Sequence, residues 1–305
     1  MCHIPVMVEE SLRLFKDQHL SLFVDATVGG GGFAYELLRA HPEIETYFGI
    51  DCDEHALALA RERCAQWVDK IEWIHGNFCD IDRYLMERGL DKIDGFFFDL
   101  GVSSMQLDQP ERGFSFLKEG PLDMRMDQRL RWTARDIVNQ WSEKELGRLF
   151  REYGEAPHWR VVARAIVEAR AHKQIETTTE LARIIEGGAK RRYGKRYRPA
   201  KKLALIFQAL RICVNRELES IREVIGKALK LLAPGKRLAI LSFHGLEDRI
   251  VKQIFRAAAG LSSPLPPRCF PKLRLLSKKP LVPTLKEQKR NKRSRSAKLR
   301  AAERL

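Results

Sequence analysis

No Cys-x-x-Cys pair occurs among the six cysteines, Cys2, Cys52, Cys64, Cys79, Cys213 and Cys269. The spacing that zinc ribbons and disulfide frameworks use is missing, so neither is expected, and a reducing cytoplasm fits. No apolar run approaches the ~18 residues needed to cross a bilayer, so an integral membrane protein is not expected. The opening residues, MCHIPVMVEESLRLFKD, hold no basic start followed by an apolar stretch and a small-residue cleavage site. They also lack an Arg/Ser-rich, acid-poor transit pattern, so neither secretion nor organelle import is expected. Internal repeats are absent as well.

What is present is enough apolar material for a core. Of 305 residues, 44% are apolar and 31% charged, which sets wholesale disorder aside and suits one large domain or two smaller ones. The net charge of +15 is concentrated. Residues 268–305 carry 14 Lys/Arg against two acids, and the segment AKRRYGKRYRPAKK (189–202) carries eight Lys/Arg and no acid. The remaining body is slightly acidic. Basic segments of this kind bind polyanions by neutralising phosphates and releasing counterions. Tyr193 and Tyr197 interleave with the first cluster, and tyrosines stack on unpaired bases. Acidic lipid is the rival, but neither cluster lies on a clear amphipathic face.

Short apolar runs alternate with helix-like stretches over residues 21–102. SLFVDATVG (21–29), TYFGIDCD (46–53), IEWIHGNF (71–78) and KIDGFFFDLGV (92–102) read as strands, with helices over 32–40 and 54–67. Such alternation implies a parallel sheet with helices on both faces. Residues 104–128 read as an ordered loop, and residues 133–188 as helices with no strand. Ser142 and Glu145 there form a Ser-x-x-Glu capping signature. Apolar spacing from Leu203 to Leu232 predicts one long helix that Pro234-Gly235 stops. RLAILSFH (237–244) is a fifth strand, and 273–278 with 296–305 a terminal strand pair. The expected organisation is an α/β core, residues 1–106 and 203–305, interrupted by a helical insertion, residues 107–202.

Ligands of open α/β sheets bind beyond the carboxyl ends of the strands, near the switch point. The residues at those ends are Asp25 with the glycines 29–32, Asp51 and Asp53, Asn77 and Phe78, and Asp99. Glycines admit close backbone approach. Asp51 is placed to accept two ribose hydroxyls, and Phe78 to lie against an adenine. Gly29, Gly31 and Ala34 also satisfy G-x-G-x-x-G/A, so these features alone leave NAD and S-adenosylmethionine both open. Two basic segments, with no second substrate domain bearing a hydride-transfer histidine, favour the methyl donor.

At Asp99 the pattern becomes more specific. The stretch DLGVSSMQLDQPERGFSFLKEGPLDMRMD (99–127) resembles the signature of the bacterial 16S ribosomal RNA cytosine-N4 methyltransferases, the MraW family. Further similar blocks follow in order along nearly the whole chain: HIPVMVEE (3–10), DATVGGGGF (25–33), FQALRICVNREL (207–218), SFHGLEDRIVK (242–252) and RSAKLRAAER (295–304). The resemblance implies a Rossmann-like S-adenosylmethionine-dependent fold with a helical, substrate-recognising insertion. It also implies N4-methylation of one cytidine in the decoding centre of the small ribosomal subunit. By motif position it places cofactor contacts on Gly31, Gly32, Phe33, Asp51, Phe78, Asp99 and Gln106. Phe33 stands where the family usually has His, Gly245 where it has Ser, and Lys292 where it has Pro.

An exocyclic cytosine amine is a poor nucleophile, because its lone pair is delocalised into the ring. Positioning and hydrogen-bond acceptors are needed, and neither a metal nor a covalent intermediate is. A cysteine nucleophile would suit C5 methylation instead, and Cys52, Cys79 and Cys213 lie in or beside apolar segments. Asp99, Ser103 and His244 are the catalytic candidates. Asp99 has the alternative role of binding the methionine amino group, and Ser103 that of a turn or cap residue. Asp123, Arg125 and Asp127 would contact the target nucleotide or form a structural ion network. Three functions remain to be separated: an RNA methyltransferase, a DNA or protein amino-methyltransferase, and a ribosome-assembly RNA-binding protein that keeps a cofactor pocket.

Overall fold

The computed structural model describes residues 5–193, 199–261 and 272–305. Lys195, Arg196 and Tyr197 of the first basic cluster, and Arg268 and Cys269 of the second, lie outside the described residues. The chain divides into two compact units, one of Met1–Gly101 with Leu218–Leu305 and one of Val102–Glu217.

The first unit holds all seven named strands: β1 (Leu22–Asp25), β2 (Thr46–Asp51), β3 (Ile71–His75), β4 (Ile93–Asp99), β5 (Leu232–Ser242), β6 (Leu273–Leu275) and β7 (Lys298–Arg304). They form one sheet in the order β3-β2-β1-β4-β5-β7-β6. The first five are parallel, and β7 pairs antiparallel with both β5 and β6. Phe96, Phe97 and Phe98 are consecutive on β4 and are all buried, although successive side chains point to opposite faces. Both faces of the sheet are therefore covered, as a parallel sheet requires. Between β1 and β4 the strand order reverses, so the ends of β1, β2 and β4 flank the switch point.

Around this sheet lie α1 (Val8–Phe15), α2 (Gly32–Ala40), α3 (Glu54–Arg63) and α4 (Ile81–Met86). The second unit supplies α5 (Ser104–Asp108), α6 (Ala134–Gln140), α7 (Glu143–Glu152), α8 (Trp159–Arg170), α9 (Thr178–Tyr193) and α10 (Pro199–Asn215). The chain then re-enters the first unit through α11 (Glu217–Leu231), followed by α12 (Gly245–Ala258) and α13 (Leu285–Arg290). Helix α7 starts at Ser142, whose hydroxyl accepts from the Glu145 N–H while the Glu145 carboxylate accepts from the Ser142 N–H. That is the reciprocal cap its sequence announces.

Two expectations need correction. The helix anticipated over Leu203–Leu232 is two helices, broken at Arg216, whose φ is 51°. Leu203, Ile206, Phe207, Leu210 and Val214 of α10 pack into the core of the helical unit. The unit boundaries accordingly fall at 102 and 217 rather than at 107 and 202. The three-four spacing runs through both helices, and a single non-glycine residue in the left-handed region leaves no mark on periodicity. Strand β5 also begins earlier than expected. Leu232 already pairs with Ile93, and the register then shifts so that Gly95 faces Arg237. Pro234-Gly235 thus lies in a bulge within the strand, where a proline costs the sheet no ladder bond.

Candidate active site

The turn after β1 is built by glycines in a conformation other residues rarely adopt. Gly29 has φ 51° and Gly31 φ 73°. A Cβ on Gly31 would meet Ala60 Cα of α3 at 3.0 Å, so the turn is held tight against that helix. Gly31 and Gly32 lead directly into α2, which has no side-chain cap, so its first turn presents backbone N–H donors. Phe33 is different. Its ring is buried and stacks on Phe97 at 3.8 Å between centroids, so only its backbone is available to a ligand.

Asp51 ends β2 with its carboxylate oriented by backbone donors. Oδ2 accepts from the Gly29 N–H and Oδ1 from the Asp53 N–H, both at 2.9 Å. Burial still pushes its pKa up to about 6, against the lowering effect of those donors. Phe78 follows β3 in a short 3-10 turn, edge-on to Phe98 at 6.4 Å, and is half-buried.

Asp99 closes β4. Its N–H donates to Thr27 Oγ1 at 2.6 Å, which ties it to the turn after β1. Its Oδ1 is buried and has no hydrogen-bond partner among the described residues. Burial, then the charges of Asp25 and Glu247, push its pKa up to about 8. Leaving such an oxygen unsatisfied costs roughly 1–3 kcal/mol. Asp25, at the end of the adjacent β1, is almost wholly buried and accepts from the Tyr47 hydroxyl at 2.7 Å. Burial raises it to about 7 despite that bond. Three carboxyls at neighbouring strand ends therefore have their pKa values raised toward the neutral range, a shift that an incoming cation would reverse.

His244 follows β5 and has a structural role. It is the N-cap of α12: Nδ1 accepts from the Glu247 N–H at 3.4 Å, and Nε2 lies 3.0 Å from Glu247 Oε1. Glu247 Oε2 accepts from the N–H groups of Phe243 and His244. Nδ1 thus serves the helix cap, whereas Nε2 is buried beside Glu247 Oε1 with no hydrogen-bond partner among the described residues. Glu247 at the third helical position is half of a capping box, but histidine is not a usual N-cap residue, so this role was not readable in SFHGLED.

In the helical unit, Ser103 and Gln106 form the cap of α5. Ser103 Oγ accepts from the Gln106 N–H at 3.2 Å, and Gln106 Oε1 accepts from the Ser103 N–H at 3.0 Å. The geometry accounts for Ser103 as a cap. Arg125 is likewise committed: its Nε and Nη2 donate to both oxygens of Asp123 at 2.9 and 2.7 Å, and its Nη1 to the Leu130 carbonyl at 2.7 Å. Asp127 receives a second fork, from Arg129, at 2.8 Å on each oxygen. Of the two roles weighed for Asp123, Arg125 and Asp127, the ion network is the one these bonds build.

Sequence reading missed Thr27 and Tyr47 as supports of Asp99 and Asp25, because both contacts are long-range. Cys64 and Cys79 do not suit covalent chemistry. Cys64 is pushed up to about 11 by burial, and Cys79 is raised for the same reason, so neither is a ready thiolate.

A largely parallel sheet with a glycine turn at its switch point, an acid ending β2 and a buried acid ending β4 is a Rossmann-like fold of the kind that binds an adenosine-bearing cofactor. Residues 1–305 match the MraW methylase family, and the chain belongs to it. It is 51% identical over 310 residues to a protein of Protochlamydia amoebophila named ribosomal RNA small subunit methyltransferase H, covering 99% of this chain and 97% of that one. Proteins of the same name from Thermomicrobium roseum and Pelobacter propionicus are 45% and 46% identical, covering 99% of this chain and 94% and 98% of theirs. S-adenosylmethionine is the cofactor of this methyltransferase, and the residues present fit it. The α2 N-terminus suits its carboxylate and Asp51 its ribose, while the Asp99 oxygen can take either its amino group or the amine to be methylated.

Proposed function

We propose that this protein transfers a methyl group from S-adenosylmethionine to N4 of a specific cytidine in the decoding centre of 16S ribosomal RNA. The observation that carries the reading is the Oδ1 of Asp99 at the end of β4, buried and without a partner among the described residues, in a chain of this family. The names of its relatives support the ribosomal substrate, and a ribosomal substrate in turn supports a cytoplasmic location. Among the described residues no helix is long and apolar enough to cross a membrane.

S-adenosylmethionine, when bound, supplies an electrophilic methyl group on a positively charged sulfur. Asp99 acts on the other reactant. Its carboxylate accepts a hydrogen bond from the cytosine amine, draws the nitrogen lone pair out of ring conjugation and takes one amine proton as the N–CH3 bond forms. General base action of this kind contributes about 10²–10⁴-fold. Alignment of the two bound reactants contributes more, up to ~7–11 kcal/mol in favourable cases. Thr27 and Leu100 position Asp99 through the backbone: the Asp99 N–H donates to Thr27 Oγ1, and the next N–H, of Leu100, to the Leu241 carbonyl at 2.9 Å. The helical unit binds the RNA that surrounds the target, helped by the basic tail. Reaching a base in folded RNA requires unstacking it, at a few kcal/mol.

Nucleoside mass spectrometry of small-subunit RNA, with and without the protein, tests the reading. N4-methylcytidine is expected only when the protein is present. Methyl label in DNA or protein would transfer the same chemistry to another substrate. Absence of label in any of the three, with RNA still bound, would make the chain an assembly factor.

A further inference from the structure

The loop that carries Asp123, Arg125 and Asp127 uses those charges on itself, and what it leaves outward is a tryptophan. Its base is stapled: the N–H groups of Ala134 and Arg135 donate to the carbonyls of Asp123 and Leu122 at 2.8 and 2.7 Å. Arg125 braces the interior through Asp123 and the Gln128 and Leu130 carbonyls. Beyond the loop, Thr133 and Asp136 cap α6 reciprocally. Trp132 sits immediately before that cap with 45% of its surface exposed. Trp132 and Leu117 are the exposed large apolar side chains among the described residues of this unit. Arg131 lies over the indole, its guanidinium carbon 5.8 Å from the ring centroid, and makes no ion pair among the described residues.

We infer that Trp132, with Arg131 beside it, is a stacking platform for an unpaired base of the RNA substrate. This rests on the proposed RNA reading and adds to it a surface separate from the methyl-transfer chemistry. An indole offers a flat π-face at the cost of ordering only two torsions, and its fixed mounting lowers that cost further. Base-on-aromatic stacking tolerates any base, because every base has a π-face. The neighbouring guanidinium supplies the positive charge that a phosphate next to that base requires, which a protein partner of no particular charge would not need. Acidic residues in the loop do not oppose this, because Asp123 and Asp127 are each neutralised by an arginine fork.

The test compares Trp132→Ala, Trp132→Phe and Arg131→Gln in the full chain, binding a single-stranded mixed-sequence oligoribonucleotide and the same sequence as a duplex. Trp132→Ala is expected to weaken the single strand by about tenfold, with an unchanged salt slope, and to leave the duplex within about twofold. Trp132→Phe should restore most of the loss, because a phenyl face still stacks. Arg131→Gln should reduce the slope of log affinity against log salt by about 0.7, the contribution of one phosphate contact on a single strand. S-adenosylmethionine affinity should be the same in all three variants. Single-strand affinity unchanged in Trp132→Ala overturns the inference. So does an equal loss in Trp132→Ala and Trp132→Phe. A changed sedimentation state in Trp132→Ala with RNA affinity intact also overturns it, and assigns the indole to a protein contact. Failure of the wild-type chain to methylate ribosomal RNA would overturn the proposed function, yet leave these binding ratios to be read on their own.

Discussion

Asp123 in the helical unit and Asp99 at the end of β4 are both half-withdrawn from water. Asp123 has a guanidinium fork across both oxygens, whereas Asp99 has a buried oxygen with no partner among the described residues. The difference separates two uses of a carboxylate. A paired one holds a loop in shape and has little left to offer a ligand. An unpaired buried one is costly to the folded chain, and that cost is recovered when something positive or proton-donating arrives. Asp25 reinforces the second case, since its charge raises Asp99 further.

Replacing Asp99 should have the largest effect of any single change. Asp99→Asn keeps the shape of the side chain and removes its ability to take a proton. Single-turnover methyl transfer at saturating S-adenosylmethionine is expected to slow by about 10²–10⁴-fold, while the fold survives. A rate within a few-fold of wild type would reduce Asp99 to a binding group.

The opposite substitution tests the paired acid. Arg125→Ala leaves Asp123 partly buried without its fork and releases the Leu130 and Gln128 carbonyls. Urea denaturation should show a loss of about 2 kcal/mol, below the ~3–5 of a fully buried broken pair, because this one retains some exposure. Arg125→Lys should recover part of it. Unaltered stability would mean that the network is not what holds the loop.

A smaller, graded effect is expected from pH. Asp51, Asp25 and Asp99 have folded pKa values of about 6, 7 and 8, above the ordinary 3.8. The folded chain therefore binds protons that the unfolded chain has already released. Stability from these groups is fully present below about pH 4 and is lost as pH rises through 6 to 8. Thermal melting of the cofactor-free protein should move to lower temperature between pH 5 and pH 9. Asp99→Asn should flatten the upper part of that curve. A melting temperature that climbs from pH 7 to 9 would contradict the buried, proton-holding state.

The same contrast explains what the residue pattern disclosed. Strand ends and the glycine turn were legible because their signals are local: an apolar run, an acid, then residues that tolerate positive φ. The sheet, its terminal strand pair and the methyltransferase class followed from those signals and from the family resemblance. Pairing was not legible. Nothing in D-M-R-M-D says that Arg125 closes on Asp123 rather than on a phosphate, and nothing in the spacing of 203–232 marks Arg216 as a break. Tyr47 and Asp25 are 22 positions apart, and only the parallel pairing of β1 with β2 brings them together.

His244 offers the sharpest small test, because the expected result is almost no change. Its ring serves a helix terminus, and asparagine serves N-caps at least as well. The Glu247 carboxylate would keep its bonds from the Phe243 and His244 N–H groups, since those run to the backbone and not to the imidazole. His244→Asn should therefore stay within about 1 kcal/mol of wild type in stability, since one capping side chain replaces another. Its methyl-transfer rate should remain within a few-fold, with the same pH profile. A catalytic imidazole predicts a different result: a loss of about 10²-fold or more, with the acid limb of the profile displaced. That result would return the amine proton to His244, require the ring to leave its cap during turnover, and leave Asp99 with the methionine amino group alone.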